Sequence, residues 1–387
     1  MENSMFEDIR PYYEEEIPAA MGRIASSREF PLLASYVFPE RPVEEVAREV
    51  MGCKTAREFQ LGLMYPALKQ IQRTSITSFT VSGIGASSEE SRSLSPESNY
   101  LFVSNHRDIM LDAALMQCVL IDNNFDTCEI TFGENLMQGQ LVIDVGKSNK
   151  MFRVARPGGN AREFYRNSLL LSRYIRWTLT EKHQSIWIAQ RNGRTKDGMD
   201  RTDQGIIKMF AMSYPGNRIE ALAELNIVPL SISYEWESCD VLKAIELYER
   251  RRGPYTKKPG EDLNSILTGI TQQKGRVHLA FCEPVTSDHL RQLEDCAGGE
   301  FHKGVARMLD ERICSAYRLM PNNYIAHDLR GGKDEFREMY SREEKDAFVG
   351  RMSILSLYKG KYDLDELTDI FLGIYANPID SKRMFAK

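Results

Sequence analysis

The residues best suited to catalysis form one short run, Ser104-Asn-His-Arg-Asp-Ile-Met-Leu-Asp112. A neutral imidazole such as that of His106 can accept a proton from a hydroxyl group near pH 7. A carboxylate on the other ring nitrogen would select the tautomer and stabilise the imidazolium that forms. Asp112 is the first candidate for this carboxylate. Asp108 is the second, with capping of the following helix as its alternative role.

Other interpretations of this chemistry fail on spacing. The His-Arg-Asp loop of protein kinases needs Asn five residues after its Asp, but position 113 is Ala, and neither Asp-Phe-Gly nor a glycine-rich loop occurs. The sequence also lacks Gly-x-Ser-x-Gly and His-x-x-x-His, so neither a serine hydrolase nor a metal site is predicted. The other histidines have no neighbours that suggest a mechanism: His183, His278, His289, His302 and His327.

Positive charge is concentrated in the middle of the chain. Residues 147–208 contain 14 Lys or Arg and 5 Asp or Glu, although the whole chain has a net charge of −5. Such a segment is either a solvated helix face or an anion site for a phosphate or a lipid headgroup. Nucleic acid is not predicted as a partner, because the sequence pI is about 5.9 and no aromatic-interleaved basic motif occurs.

Four short blocks follow one another along the chain: Asn105-His106 with Asp112, residues 151–159, residues 191–198, and residues 227–234. In this order they resemble the glycerolipid acyltransferases, the family of glycerol-3-phosphate and 1-acylglycerol-3-phosphate acyltransferases. Two positions differ from the family pattern. Asp112 stands one residue beyond the usual aspartate, and Arg191 replaces the usual glutamate of the third block.

The resemblance implies transfer of a fatty acyl group from acyl-CoA or acyl-acyl carrier protein to a hydroxyl of glycerol 3-phosphate or lysophosphatidate. His106 would be the general base, and since a thiol leaves readily, no cofactor is expected. Guanidinium forks, and backbone N–H groups that glycine leaves accessible, suit an acceptor phosphate. The candidates are Arg153, Arg156, Arg191, Gly193, Arg194 and Lys196. Gly193 and Arg194 come first, with surface ion pairing as the alternative use of the arginines.

The surrounding sequence alternates between strand and helix patterns. Strands are predicted around 79–84, 100–104, 129–132, 152–155, 185–189, 227–234 and 276–282, and helices around 109–120, 161–180 and 206–212. This alternation predicts an α/β fold with a mostly parallel sheet covered by helices. We expect a helical cap at 1–75, the acyltransferase domain at 76–322 and a helical C-terminal appendage at 323–387. A serine-rich surface loop is predicted at 86–99.

The sequence also bears on cellular location. The acidic start has no apolar stretch, and no segment offers the roughly 20 apolar residues of a spanning helix. Seven scattered cysteines favour a reducing compartment without structural zinc. We expect a cytoplasmic protein that attaches peripherally to the inner face of the membrane, where the products of such a reaction reside.

Two alternative functions remain at the level of sequence. O-acylation of a lyso-aminolipid is suggested by Arg191, whose added charge could suit a different anionic acceptor. A non-catalytic lipid or acyl-carrier binding protein is suggested by the displaced aspartate at position 112.

Overall fold

The computed structural model describes residues 3–85, 94–155 and 160–385. Within them, the strands are β1 (Ile76–Ser82), β2 (Leu101–Ser104), β3 (Glu129–Gly133), β4 (Met151–Val154), β5 (Ile186–Ala189), β6 (Ile227–Tyr234) and β7 (Gly275–Phe281). They form one sheet in the order β1-β7-β6-β2-β5-β3-β4. The strands from β6 to β4 are parallel, whereas β7 is antiparallel to β6 and parallel to β1. The predicted α/β fold with a mostly parallel sheet is confirmed.

The helices of the described residues are α1 (Ile17–Ala25), α2 (Phe30–Val37), α3 (Val43–Gly52), α4 (Ala56–Phe59), α5 (Tyr65–Ser75), α6 (Leu111–Asp122), α7 (Gln140–Ser148), α8 (Ala161–Thr180), α9 (Gln204–Ala211), α10 (Arg218–Ala223), α11 (Asp240–Arg250), α12 (Glu261–Thr271), α13 (Ser287–Arg291), α14 (Gly299–Ala316), α15 (Pro321–Gly331), α16 (Arg342–Met352) and α17 (Leu364–Phe385). A π-helical turn at Gln60–Met64 joins α4 to α5. Helix α8 begins where expected, because the Asn160 side chain caps it by accepting the N–H of Glu163 at 2.9 Å.

Hydrophobic cores lie on both faces of the sheet. In β2, Leu101 and Val103 pack into one core with residues of α8, α9 and α14, whereas Phe102 packs into the other with residues of α6. Successive side chains of a strand point to opposite faces, so a short apolar strand such as β2 is buried on both. This double burial fixes the position and tilt of the strand end that leads to His106.

Helices dominate both ends of the chain. The first four and the π-helical turn form one hydrophobic cluster that includes Ile17, Val46 and Phe59, and α7 packs against it. Near the C terminus, α17 packs against both α15 and α11. The exact division at residues 75 and 322 stays a prediction.

Some expectations concern segments beyond the described residues. Positions 86–93 of the predicted serine-rich loop lie outside them, as does Arg156. Within the described ranges, no helix combines the length and the apolar composition that crossing a bilayer requires.

Candidate active site

His106 lies just beyond the carboxyl end of a central strand. Strand β2 ends at Ser104, α6 begins at Leu111, and the intervening residues form a turn at the edge where sites of parallel sheets commonly occur. The backbone N–H of Thr195 donates to the His106 carbonyl at 2.7 Å. The segment that follows β5 is thereby held directly beside the histidine.

Asp112 is the carboxylate that contacts the imidazole. His106 Nδ1 lies 2.8 Å from Asp112 Oδ2, which also accepts the backbone N–H groups of Arg107 at 2.6 Å and Asp108 at 2.9 Å. The Tyr234 hydroxyl donates to Oδ1 at 2.8 Å, and the Asp112 side chain is only 1% exposed. An acceptor carboxylate on Nδ1 leaves the lone pair on Nε2, the form that a general base requires.

Asp108 has a different role. Its Oδ1 accepts the N–H groups of Met110 and Leu111, both at 2.9 Å, and its Oδ2 accepts the Ser238 hydroxyl. Burial acts to raise the pKa of Asp108, but the nearby Lys274 ammonium and these hydrogen bonds outweigh it and lower the pKa. The structure therefore places Asp108 as a cap of the turn before α6, away from the imidazole nitrogens.

A buried ionic cluster lies behind this turn. The Arg107 guanidinium pairs with Asp200 at 2.6 Å and with Glu237 at 3.2 Å. Burial opposes its charge, but the Asp200 carboxylate and its other partners raise the pKa of Arg107 well above the usual value. Asn105 Nδ2 also donates to Asp200 at 2.9 Å, and the ammonium of Lys243 donates to the Arg107 carbonyl at 2.8 Å. Both backbone neighbours of His106 are thus fixed.

His106 lines a large, mainly apolar cavity of about 590 Å³. The walls come from the N-terminal helices, α6, α8, α9 and strands β3 to β5, with Phe30, Leu63 and Met110 among the lining side chains. The Trp187 ring meets the imidazole edge-on at 5.5 Å between ring centroids. Cavities of about 300–1,000 Å³ with few polar groups are typical of small-molecule and lipid-sized ligands.

The turn after β5 supplies the polar part of the wall. Arg191, Asn192 and Gly193 line the cavity. The half-buried Arg191 guanidinium forms no ion pair with any carboxylate of the described residues. Gly193 has a φ of 74°, a conformation that favours glycine, and a Cβ there would meet nothing within 4 Å.

The other candidate anion ligands lie elsewhere. Arg194 does not line the cavity, and its buried Nη1 has no hydrogen-bond partner among the described residues. Lys196 pairs with Glu246 on α11, and burial lowers its pKa to about 8 despite that partner. Arg153, on β4, does not line the cavity either. The structure places His106, Arg191 and Gly193 on the wall of one cavity, with Asp112 bonded to the imidazole, and it leaves Arg153, Arg194 and Lys196 off that wall.

The end of the chain helps to hold the turn. Asn377 Nδ2 donates to the Asp197 carbonyl at 2.7 Å. Gly198 has a φ of 79°, and a Cβ there would lie 2.3 Å from the Ile374 carbonyl oxygen of α17. A glycine is therefore needed where the turn meets the last helix. In the described part of the chain, no three His, Cys, Asp or Glu side chains are grouped so that they could hold a metal ion.

Sequence reasoning missed two side chains of the site. Tyr234 was assigned only to a strand, although it closes the fourth block and its hydroxyl meets Asp112. Trp187 was assigned to a buried strand without contact to His106. A tyrosine at the carboxyl end of a predicted strand is a usable signal, because parallel neighbours such as β2 and β6 bring their carboxyl ends to the same edge of the sheet.

Comparisons with known proteins give little beyond this geometry. A scan against protein-family models finds no match, and a search of curated proteins finds none. Among solved structures, the chain is similar to the 1-acyl-sn-glycerophosphate (LPA) acyltransferase PlsC from Thermotoga maritima. The TM-score is 0.34 and the identity 15%, over 76% of this chain and 94% of that one. A match at this TM-score does not bear on which reaction the present chain performs.

Proposed function

We propose that this chain is an acyltransferase that moves a fatty acyl group from a thioester donor to a hydroxyl of an anionic lipid precursor. The observation that carries the proposal is the His106–Asp112 pair on the wall of an apolar cavity of about 590 Å³. The four sequence blocks support the same reaction class. Acyl-CoA or acyl-acyl carrier protein is the proposed donor, and glycerol 3-phosphate or lysophosphatidate the proposed acceptor.

In the proposed reaction, the acyl chain lies in the cavity and its thioester carbonyl lies near His106. Nε2 of His106 takes the proton of the acceptor hydroxyl as that oxygen attacks the carbonyl carbon. A carbon–oxygen bond forms and the carbon–sulfur bond breaks. The departing thiolate then takes the proton from the imidazolium, which Asp112 has stabilised through Nδ1.

The acceptor is proposed to bind beside the turn after β5. Arg191 and Gly193 line the cavity, and the guanidinium of the first and the backbone amide of the second would hold a phosphate or another anionic group. Since the product is a lipid, we propose peripheral attachment to the inner face of the membrane. The lyso-aminolipid alternative uses the same part of the cavity wall around Arg191 and differs only in the acceptor.

The test measures release of free thiol from an acyl thioester with a panel of acceptors: glycerol 3-phosphate, lysophosphatidate, a lyso-aminolipid and none. We expect acceptor-dependent release that falls by about 10²–10⁴-fold in His106→Ala. The matched control is His183→Asn, because His183 is exposed and its φ of 53° is one that asparagine tolerates. Circular dichroism checks that each variant is folded.

Absence of thiol release with every acceptor would overturn the proposal. If the folded protein then still bound the acyl thioester, the non-catalytic binding function would replace it. Release that His106→Ala leaves unchanged would remove the histidine from the chemistry.

A further inference from the structure

Helix α2 is apolar on its inner and its outer face. Residues 30–39, which include this helix, contain no charged side chain. The inner face lines the cavity with side chains spaced by three and four residues: Phe30, Leu33, Ala34 and Val37. On the outer face, Leu32 is 77% exposed and Tyr36 is 50% exposed, and neither lines the cavity. Helix α2 is thus a single apolar layer between the cavity and the outside of the protein.

The adjacent helix α3 shows the ordinary pattern of a water-facing helix. Helix α2 packs against it, and both contribute side chains to the same hydrophobic cluster. Val46 and Val50 of α3 are buried there, whereas its outer side carries exposed charged residues: Glu44, Glu45 and Arg48. A helix that is apolar all round is typically covered by protein or by lipid. The outer face of α2 is therefore suited to an apolar partner and not to water.

The cavity opens to the surface at this helix. Leu33 lines the cavity and is also 40% exposed, so the cavity wall reaches the outside at α2. Phe164 of α8 likewise lines the cavity and is 51% exposed. An acyl chain that enters or leaves past Leu33 therefore contacts apolar atoms on its way.

We propose that the outer face of α2, formed by Leu32 and Tyr36, inserts into the interfacial region of a phospholipid bilayer. This inference rests on the proposed function, whose product is a lipid, and it identifies the surface that attaches to the membrane. Interfacial helices bury their apolar face about 5–10 Å into the boundary between headgroups and acyl chains, where a tyrosine hydroxyl remains among the headgroups. With α2 in this position, the opening at Leu33 faces lipid, and an acyl chain passes between bilayer and cavity without exposure to water.

A protein partner fits this surface less well than a bilayer does. The outer face consists of few side chains on a helix of eight residues, whereas a standard protein–protein interface covers about 800 Å² of each partner. A small apolar surface is sufficient for a bilayer, because lipid adapts to the shape of the inserted side chains.

The experiment measures sedimentation with vesicles of equal parts phosphatidylcholine and phosphatidylglycerol. The variant is Leu32→Ser/Tyr36→Ser, which leaves the net charge unchanged. The control is Leu357→Ser/Met339→Ser, because these side chains are 81% and 50% exposed in the C-terminal region and do not line the cavity. We expect at least about tenfold weaker vesicle binding by the variant, and binding by the control within about twofold of wild type. Circular dichroism checks that both proteins are folded.

The position of α2 in the bilayer is measured with Leu32→Trp. Lipids brominated on their acyl chains should quench the added fluorescence of Leu32→Trp but not that of Leu357→Trp. Unquenched fluorescence of bound Leu32→Trp, or equal vesicle binding by wild type and the serine variant, would overturn the inference and assign attachment to another surface. Absence of vesicle binding by wild type would also overturn it. A dimer that only the serine variant dissociates would then assign the outer face of α2 to a second copy of the chain.

These measurements are independent of turnover, so they separate this inference from the proposed function. Thiol release from a short-chain acyl-CoA with glycerol 3-phosphate should stay within about twofold of wild type in the serine variant, because Leu32 and Tyr36 do not line the cavity. Release with lysophosphatidate embedded in vesicles should fall in parallel with vesicle binding. If thiol release is absent throughout, the proposed function fails, while sedimentation and quenching still decide whether α2 is the membrane surface.

Discussion

The two sides of the candidate site are built in opposite ways. Beneath His106 the protein is polar and closely bonded: Asp112 accepts four hydrogen bonds, and Arg107 is paired with two carboxylates. Above the imidazole, the cavity is lined mainly by aliphatic and aromatic side chains from six or more elements. The polar side has almost no freedom to move, because each displacement would break several buried hydrogen bonds.

This contrast separates two tasks. The polar side fixes one geometry for a proton transfer, which is sensitive to small displacements. The apolar side offers volume and non-directional attraction, and each buried methylene of a ligand contributes about 0.8 kcal/mol. Substitutions on the polar side should therefore change the rate for all donors, and substitutions in the cavity should change the preference among chain lengths.

The largest effect is expected for Asp112→Asn. The asparagine oxygen can still accept the N–H groups of Arg107 and Asp108, so the turn should remain folded while the negative charge is lost. Without that charge, the imidazolium is less stable, although the amide oxygen can still accept the Nδ1–H of His106. We expect kcat/KM for acyl transfer to fall by about 10²–10⁴-fold with donors of every length. A fall of less than about threefold in a folded variant would show that the polar side does not support the base.

Arg191→Ala should have the next largest effect. Loss of a charged hydrogen bond to an anionic acceptor costs about 1.5–3 kcal/mol, which corresponds to about 10- to 150-fold in kcat/KM for the acceptor. Arg191→Lys should restore part of this loss, because a lysine keeps the charge without the planar fork. Initial rates at varied acceptor concentration measure both.

Arg194→Ala is the companion measurement, because Arg194 belongs to the same turn but does not line the cavity. We expect it to change the acceptor KM less than Arg191→Ala does. A larger change in the acceptor KM for Arg194→Ala than for Arg191→Ala would indicate that Arg194, a first candidate from the sequence, binds the acceptor.

Ala114→Phe tests the apolar side. Ala114 lines the cavity from α6, and a phenyl ring there removes space for the acyl chain. If two methylenes are displaced, kcat/KM for long-chain donors should fall by about 15-fold, at about fourfold per methylene. Short-chain donors serve as the internal control and should react at the wild-type rate. A uniform loss across all chain lengths would mean that the cavity does not hold the chain.

Tyr234→Phe should have the smallest effect and concerns the polar side alone. Burial first, and the adjacent Asp112 carboxylate second, raise the pKa of Tyr234 well above its usual value, so its hydroxyl is a donor at any working pH. Its removal leaves Asp112 more strongly negative and favours the imidazolium. We expect kcat/KM to fall about two- to tenfold at neutral pH. The acidic limb of the pH profile should move to higher pH, which a purely structural defect would not produce.

Much of the fold could be predicted because its signals are local. Each of the seven strands of the described sheet lies at or within a few residues of an expected position, and α8 has the expected bounds. The apolar runs of β2 and β6 carry this information within four to eight residues. The helices α7 and α10 to α14 were not predicted, because they are short or interleave charged and apolar residues.

The candidate site was predictable only in part, because its contacts join distant segments. Tyr234 and Asp112 are 122 residues apart, and no local pattern links them. A motif also locates a backbone without deciding where its side chains point. The Arg191–Arg194 turn was identified from sequence, but only the structure distinguishes the arginine on the cavity wall from its neighbour three residues later. The cavity itself depends on how the N-terminal helices pack over the sheet, which no single segment encodes.

The contact between Gly198 and α17 connects the candidate site to the last helix of the described chain. Ile374 and Asn377 contact the turn that carries Arg191, so the terminal helix supports the proposed binding position of the acceptor. Trimming this helix, or joining a fusion partner directly to it, should weaken acceptor binding before it disturbs the imidazole, because Asp112 on α6 holds His106 from the other side.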